Sequence, residues 1–167
     1  MGLFKAKRKY TGWDGDAKGK LAGTEKFKDW VVFLNGGKIR NLGTWKVRPM
    51  KNSGLKNPPP SVHGTGRAWD AGYKNREDGL ALADFCVRNA EAFGIEAVHD
   101  YAFGKFGRGW RCNRDAWVEY TKPTLGGRGN WLHIELSPEV AKDAAYVNAV
   151  FECLLKPVQS SSSSSKS

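Results

Sequence analysis

The stretch "PPPSVHGTGRAWDAGY", residues 58–73, decides how the rest of the chain is read. It places His63 and Asp70 on either side of a turn that contains Gly64 and Gly66. On an uninterrupted strand, residues an odd number of positions apart face opposite sides. The two side chains can therefore meet only if the chain folds back between them, and glycines permit that. An imidazole and a carboxylate brought together this way make up two of the roughly three protein ligands of a hydrolytic zinc site, whose open position holds water.

The chain has three histidines, His63, His99 and His133. "NWLHIELS" (130–137) alternates as a strand, with Leu132, Ile134 and Leu136 on one face and Trp131, His133 and Glu135 on the other. His133 is thus the natural third ligand. His99, beside Asp100 in the apparent strand "IEAVHDYAF" (95–103), could replace a ligand or help bind substrate near the metal, but reads better as a core or edge-strand histidine.

Ser61, His63, Gly66, Ala68 and Asp70 together match the pattern S-x-H-x-x-G-x-A-x-D. In this the chain resembles the zinc D-Ala-D-Ala carboxypeptidases, a family that includes vancomycin-resistance dipeptidases and phage endolysins cutting between L-Ala and D-Glu. The resemblance implies a small α+β fold of the hedgehog/DD-peptidase type, an antiparallel sheet flanked by helices. It also implies a zinc ion on His63, Asp70 and His133, and peptidoglycan stem peptides as substrate. "VRPM" (47–50) is similar to a Y-R-P segment of the dipeptidases, which points to Arg48 as the group facing negative charge on the scissile carbonyl. Ser61 would orient the loop or the substrate.

One departure from the pattern matters. The family carries an acidic base three residues before the last histidine, and here that residue is Asn130. A neutral amide takes no proton from water. Glu135 is the substitute, on the same strand face as His133 and roughly 6.6 Å further along. An acid there could be the base, could accept from the ligand imidazole and fix its tautomer, or could do neither. Asn130 also leaves open a zinc-binding wall-recognition or virion protein without turnover. Arg67 inside the signature, and Arg108 and Arg111 in the basic, aromatic "KFGRGWRCNRD" (105–115), are candidates for holding a substrate carboxylate.

The remaining sequence frames this site. Its 27 Lys and Arg against 17 Asp and Glu, a formal +10, suit anionic cell-wall polymers and, less well, nucleic acid through a basic arm. Cys86, Cys112 and Cys153 are too few and too far apart for a disulfide framework or a thiolate zinc knuckle. The start, "MGLFKAKRKY", lacks the apolar run of a signal peptide, and no stretch is long and apolar enough for a membrane span. With the resemblance, this implies a phage lysin released from the host cytoplasm by a holin, or carried in the virion, and a monomer.

Three regions are expected: a flexible basic arm over 1–23, the peptidase-like domain over 24–157 and a disordered serine-rich tail over 158–167. Within the domain, the spacing predicts a helix over 24–34 capped by Thr24, a strand over 43–50 and a loop over 50–60. Further helices are expected over 75–93 and 137–155.

Overall fold

The computed structural model describes residues 7–50, 56–124 and 126–157. The tail, the first six residues and part of the 50–60 loop lie outside the described residues. The fold is α+β: a six-stranded, fully antiparallel open sheet with four helices. The elements in chain order are α1 (Ala22–Leu34), β1 (Ile39–Gly43), a 3-10 turn (Val62–Thr65), β2 (Ala68–Tyr73) and α2 (Arg76–Arg88). Then follow β3 (Ile95–Asp100), β4 (Arg108–Arg111), β5 (Ala116–Glu119), β6 (Trp131–Leu136), α3 (Pro138–Lys142) and α4 (Ala144–Leu155). Across the sheet the order is β1-β2-β6-β3-β4-β5, so the last strand inserts between β2 and β3. No helix among the described residues is long and apolar enough to cross a membrane.

Register assigns the two faces of the sheet. Trp69, Ile134, Val98 and Trp110 are paired in one row across β2, β6, β3 and β4, and all are buried in the hydrophobic core. The helices cover this face. Phe27 of α1 packs edge-on against Trp69, and Phe93 and Phe151 close the cluster with ring centroids 4.5 Å apart. The adjacent row, Asp70, His133, His99 and Gly109, lies on the opposite face. The sheet therefore separates an apolar layer from a polar working surface.

Several expectations need correction. Residues 7–21 are no free arm: Tyr10 donates to Glu135, Thr11 donates to Glu96 through both its amide and its hydroxyl, and Ala17 N–H donates to the Gly64 carbonyl. Buried Glu96 holds this strap from below. Helix α1 starts at Ala22, so Thr24 is an interior residue whose buried hydroxyl finds no partner among the described residues, rather than a cap.

Of segment 43–50, only Gly43 belongs to a strand, as the end of β1, and the rest forms no strand beyond the Pro49↔Pro60 bridge. Its backbone is spent on the signature loop instead: Lys46 N–H donates to the His63 carbonyl, and the Arg48 carbonyl accepts from Ser61. The helix expected over 75–93 ends at Arg88. That expected over 137–155 breaks at Asp143, which caps α4 by accepting from Tyr146 N–H.

Candidate metal centre

The signature loop is built by local chemistry. Ser61 accepts from the backbone N–H of His63 at 3.3 Å and so opens the 3-10 turn. Gly66 ends it at φ 74°, the left-handed region that an L side chain enters only with strain. The chain then turns into β2, which carries Asp70 to the position opposite His133 on β6.

The three side chains converge. His63 Nε2 lies 3.0 Å from one Asp70 oxygen and His133 Nδ1 lies 2.9 Å from the other. The ligand atoms of His63, Asp70 and His133 all lie within 4.8 Å of one another. Ligands on a tetrahedral zinc at about 2.05 Å stand about 3.3 Å apart, so the donor set fits such an ion with small adjustments.

The outer partners agree with that use. His63 Nδ1 faces the Thr44 carbonyl at 3.2 Å, which leaves Nε2 with its lone pair. His133 Nε2 faces Glu135 Oε1 at 3.0 Å, which leaves Nδ1 for the ion. Without metal, the pocket keeps a proton on His133. Burial disfavours the imidazolium, but hydrogen bonds to Asp70 and Glu135 outweigh it and hold the group up at about 10. The same contacts hold the Asp70 carboxyl well below the carboxylate range and Glu135 down at about 2, against the upward push of burial in both.

These groups line a pocket of about 560 Å³. Arg48, Ser61, Arg111 and Glu135 also line it. Asn130, Arg67 and Arg108 do not. Asn130 is exposed just before β6, and its carbonyl accepts from Tyr73 N–H. Three residues before His133 on a regular strand is the opposite face, so an acid at 130 would not reach this pocket without a bulge.

Arg67 is 1% exposed, donates to the carbonyls of Leu136 and Gly12, and pairs with Asp14 and Glu96. It ties the strap to the sheet, with no donor edge turned into the pocket. Arg108 is sandwiched between Phe103 and Trp117 at 4.2 and 4.1 Å and pairs with buried Asp100 on the other side of the sheet. The basic loop that contained Arg108 and Arg111 is the β4–β5 hairpin.

Sequence reasoning missed Tyr10 and Tyr120, which also line the pocket. Tyr10 donates to Glu135 Oε2 at 2.9 Å. Tyr120 bonds His99 Nδ1 across Gly109, where a Cβ would strike its hydroxyl. Burial pushes His99 down to about 4, so it is a neutral imidazole at pH 7, next to His133 in the sheet. His99, for which the sequence favours a core or edge-strand place over one near the metal, is half-buried and part of the pocket wall. The register that brings it there required the strand order, which alternation within one strand does not reveal.

Comparison of the chain with family models, with curated proteins and with solved structures finds no match.

Proposed function

We propose that the protein is a zinc metallopeptidase of the D-Ala-D-Ala carboxypeptidase or L-Ala-D-Glu peptidase type, with a hedgehog/DD-peptidase-like fold, that hydrolyses stem peptides of peptidoglycan. The observation that supports this most is the convergence of His63, Asp70 and His133 on one side of a pocket, each imidazole oriented by its own outer acceptor. Zinc held by these three residues supplies Lewis acidity to the scissile carbonyl and to water.

The chain's other residues then divide the work. Glu135 and Asp70 are the two acids on the pocket wall, and Asp70 is a ligand, so Glu135 takes the proton of the attacking water. Water adds to the carbonyl carbon, the C–N bond breaks, and the proton leaves with the amine. Arg48 faces charge developing on the carbonyl oxygen, as a permanent cation suits. Ser61 keeps the signature turn in shape. The net positive charge draws the protein to anionic wall polymers, as befits a monomeric phage lysin freed by a holin or carried in the virion.

The test is digestion of purified peptidoglycan by the zinc-loaded protein, with the muropeptides read by mass spectrometry. New peptide termini that vanish on chelation and return with zinc are expected. Stoichiometric zinc without any cleavage would remove the enzyme reading.

A second reading is a zinc-binding wall-recognition or virion protein without turnover. Asn130 lies outside the pocket, and both Glu135 oxygens already accept from His133 and Tyr10. It predicts zinc-dependent retention on peptidoglycan with every muropeptide intact.

A further inference from the structure

The pocket runs across the sheet from His133 towards β4, and its far wall carries a guanidinium that pairs with no carboxylate among the described residues. The pairing Glu135↔Ala97↔Arg111 puts Arg111 on the same face as the metal ligands, two strands away from β6. Strands lie about 4.8 Å apart, so the displacement is about 10 Å.

The neighbouring arginines are committed elsewhere. Arg67 is locked into the strap, Arg108 holds Asp100, and Arg114 donates to the carbonyls of Ala116 and Gly109. Arg111 lies over the Tyr10 ring at 4.3 Å, half-buried, and has no ion pair among the described residues. Stacking leaves the N–H edge of a guanidinium available, and its planar fork matches a carboxylate. The positive charge already reaches the pocket, where it opposes the upward drift of the Tyr10 and Tyr120 phenols. Tyr10 touches Arg111 with its ring and Glu135 with its hydroxyl, so the strap joins this end of the pocket to the metal end.

We propose that Arg111, backed by Tyr10, forms a carboxylate-binding subsite that selects extended anionic peptides. This rests on the peptidase reading and names its substrate more closely. The roughly 10 Å between the Glu135 and Arg111 backbones corresponds, at about 3.3 Å per residue, to about three residues of extended peptide, so the carboxylate in question is one set back from the scissile bond along the substrate. D-Ala-D-Ala, whose one carboxylate lies next to the scissile bond, offers Arg111 no carboxylate set back along the chain.

The experiment uses the zinc-loaded full chain and three probes: the pentapeptide L-Ala-γ-D-Glu-L-Lys-D-Ala-D-Ala, the same peptide with its carboxylates amidated, and D-Ala-D-Ala. Binding is measured by calorimetry and turnover separately, for wild type, Arg111→Gln and Arg111→Lys. Zinc content and circular dichroism check that each variant is folded and loaded.

Arg111→Gln should weaken the acidic pentapeptide about ten- to hundredfold, the range of a charge-assisted hydrogen bond, and leave the other two probes unchanged. Arg111→Lys should recover part of the loss. No loss, or an equal loss for the acidic and amidated pentapeptides, overturns the subsite. A single-stranded oligonucleotide bound through Arg111 more tightly than the acidic pentapeptide overturns the peptide assignment.

The two readings fail separately. Charge-selective binding through Arg111 without cleavage by wild type keeps the subsite and removes the peptidase. Cleavage with no dependence on Arg111 does the reverse, and neither binding nor cleavage of the acidic pentapeptide removes both.

Discussion

On the proposed mechanism, Glu135 would combine two tasks, proton acceptor and orienter of His133, and its replacement separates them. Oε1 accepts from His133 Nε2 at 3.0 Å and Oε2 accepts from Tyr10 at 2.9 Å, in a side chain only 3% exposed. Glu135→Gln retains an oxygen for His133 and nearly the same volume, so the ligand ring stays oriented and zinc stays bound. The amide cannot take a proton, and loss of a positioned base costs about 10²- to 10⁴-fold in kcat. Glu135→Ala goes further. It removes the acceptor that fixes the His133 tautomer, which costs zinc affinity about 10- to 100-fold in comparable sites.

The assay pairs zinc titration against a competing chelator with single-turnover cleavage of a synthetic stem peptide. The expected pattern is full zinc with little cleavage for Glu135→Gln, and weakened zinc for Glu135→Ala. Full cleavage by a zinc-replete Glu135→Gln refutes the assignment of the base, and unchanged zinc affinity in Glu135→Ala refutes its orienting role.

Other expectations follow from the same contacts. His63→Ala should abolish stoichiometric zinc and the rise in Tm that zinc gives the wild type, read by metal analysis and calorimetry. Arg67→Ala leaves buried Glu96 without its cation, a change that costs about 3–5 kcal/mol in comparable buried pairs. At roughly 2–4 °C per kcal/mol for a chain of this size, thermal melting should fall by about 10 °C.

The metal-free protein should also lose stability with alkali. His133 is held up at about 10, so its contribution is complete below the ordinary imidazole value and is lost as pH rises through 10. Glu135, held down at about 2, contributes above the ordinary carboxyl value and loses that as pH falls towards 2. A zinc ion on the proposed ligands would take the place of the His133 proton at Nδ1, so the alkaline fall in Tm should flatten in the zinc-loaded protein. A metal-free Tm that is level from pH 6.5 to 10 would contradict the His133 contact geometry.

What could be read in the chain divides along physical lines. The turn between His63 and Asp70 was legible because its glycines and its capping Ser61 act within a few residues. The face carrying His133 and Glu135 was legible because alternation is a property of one strand. The strands β1, β2, β4 and β5 were not legible: β1 and β4 carry arginine and glycine among their apolar residues, β2 carries Asp70 and Gly72, and β5 is only four residues long. Their pairing comes from neighbours far away in sequence. The strap was misread for a related reason. Its lysines and glycines match a solvated arm, and what holds it is buried Arg67 and Glu96, more than 40 residues downstream.

The position of β6 explains why the site reads as it does. As the last strand in the chain it enters between β2 and β3, so His133 finds Asp70 on one side and His99 on the other. Ligand chemistry thus needs only one side of the strand. The other side, through His99, Tyr120 and Arg111, is free to recognise what is bound. Regular pairing at Gly72↔Trp131 also keeps Asn130 off this face, so restoring an acid at that position does not by itself restore a base. Asn130→Glu should therefore leave cleavage of the stem peptide within about twofold of wild type, since its carboxylate would start on the face away from the metal ligands. A gain of tenfold or more would show that β6 bulges at its start in the working protein and that the proton passes through position 130.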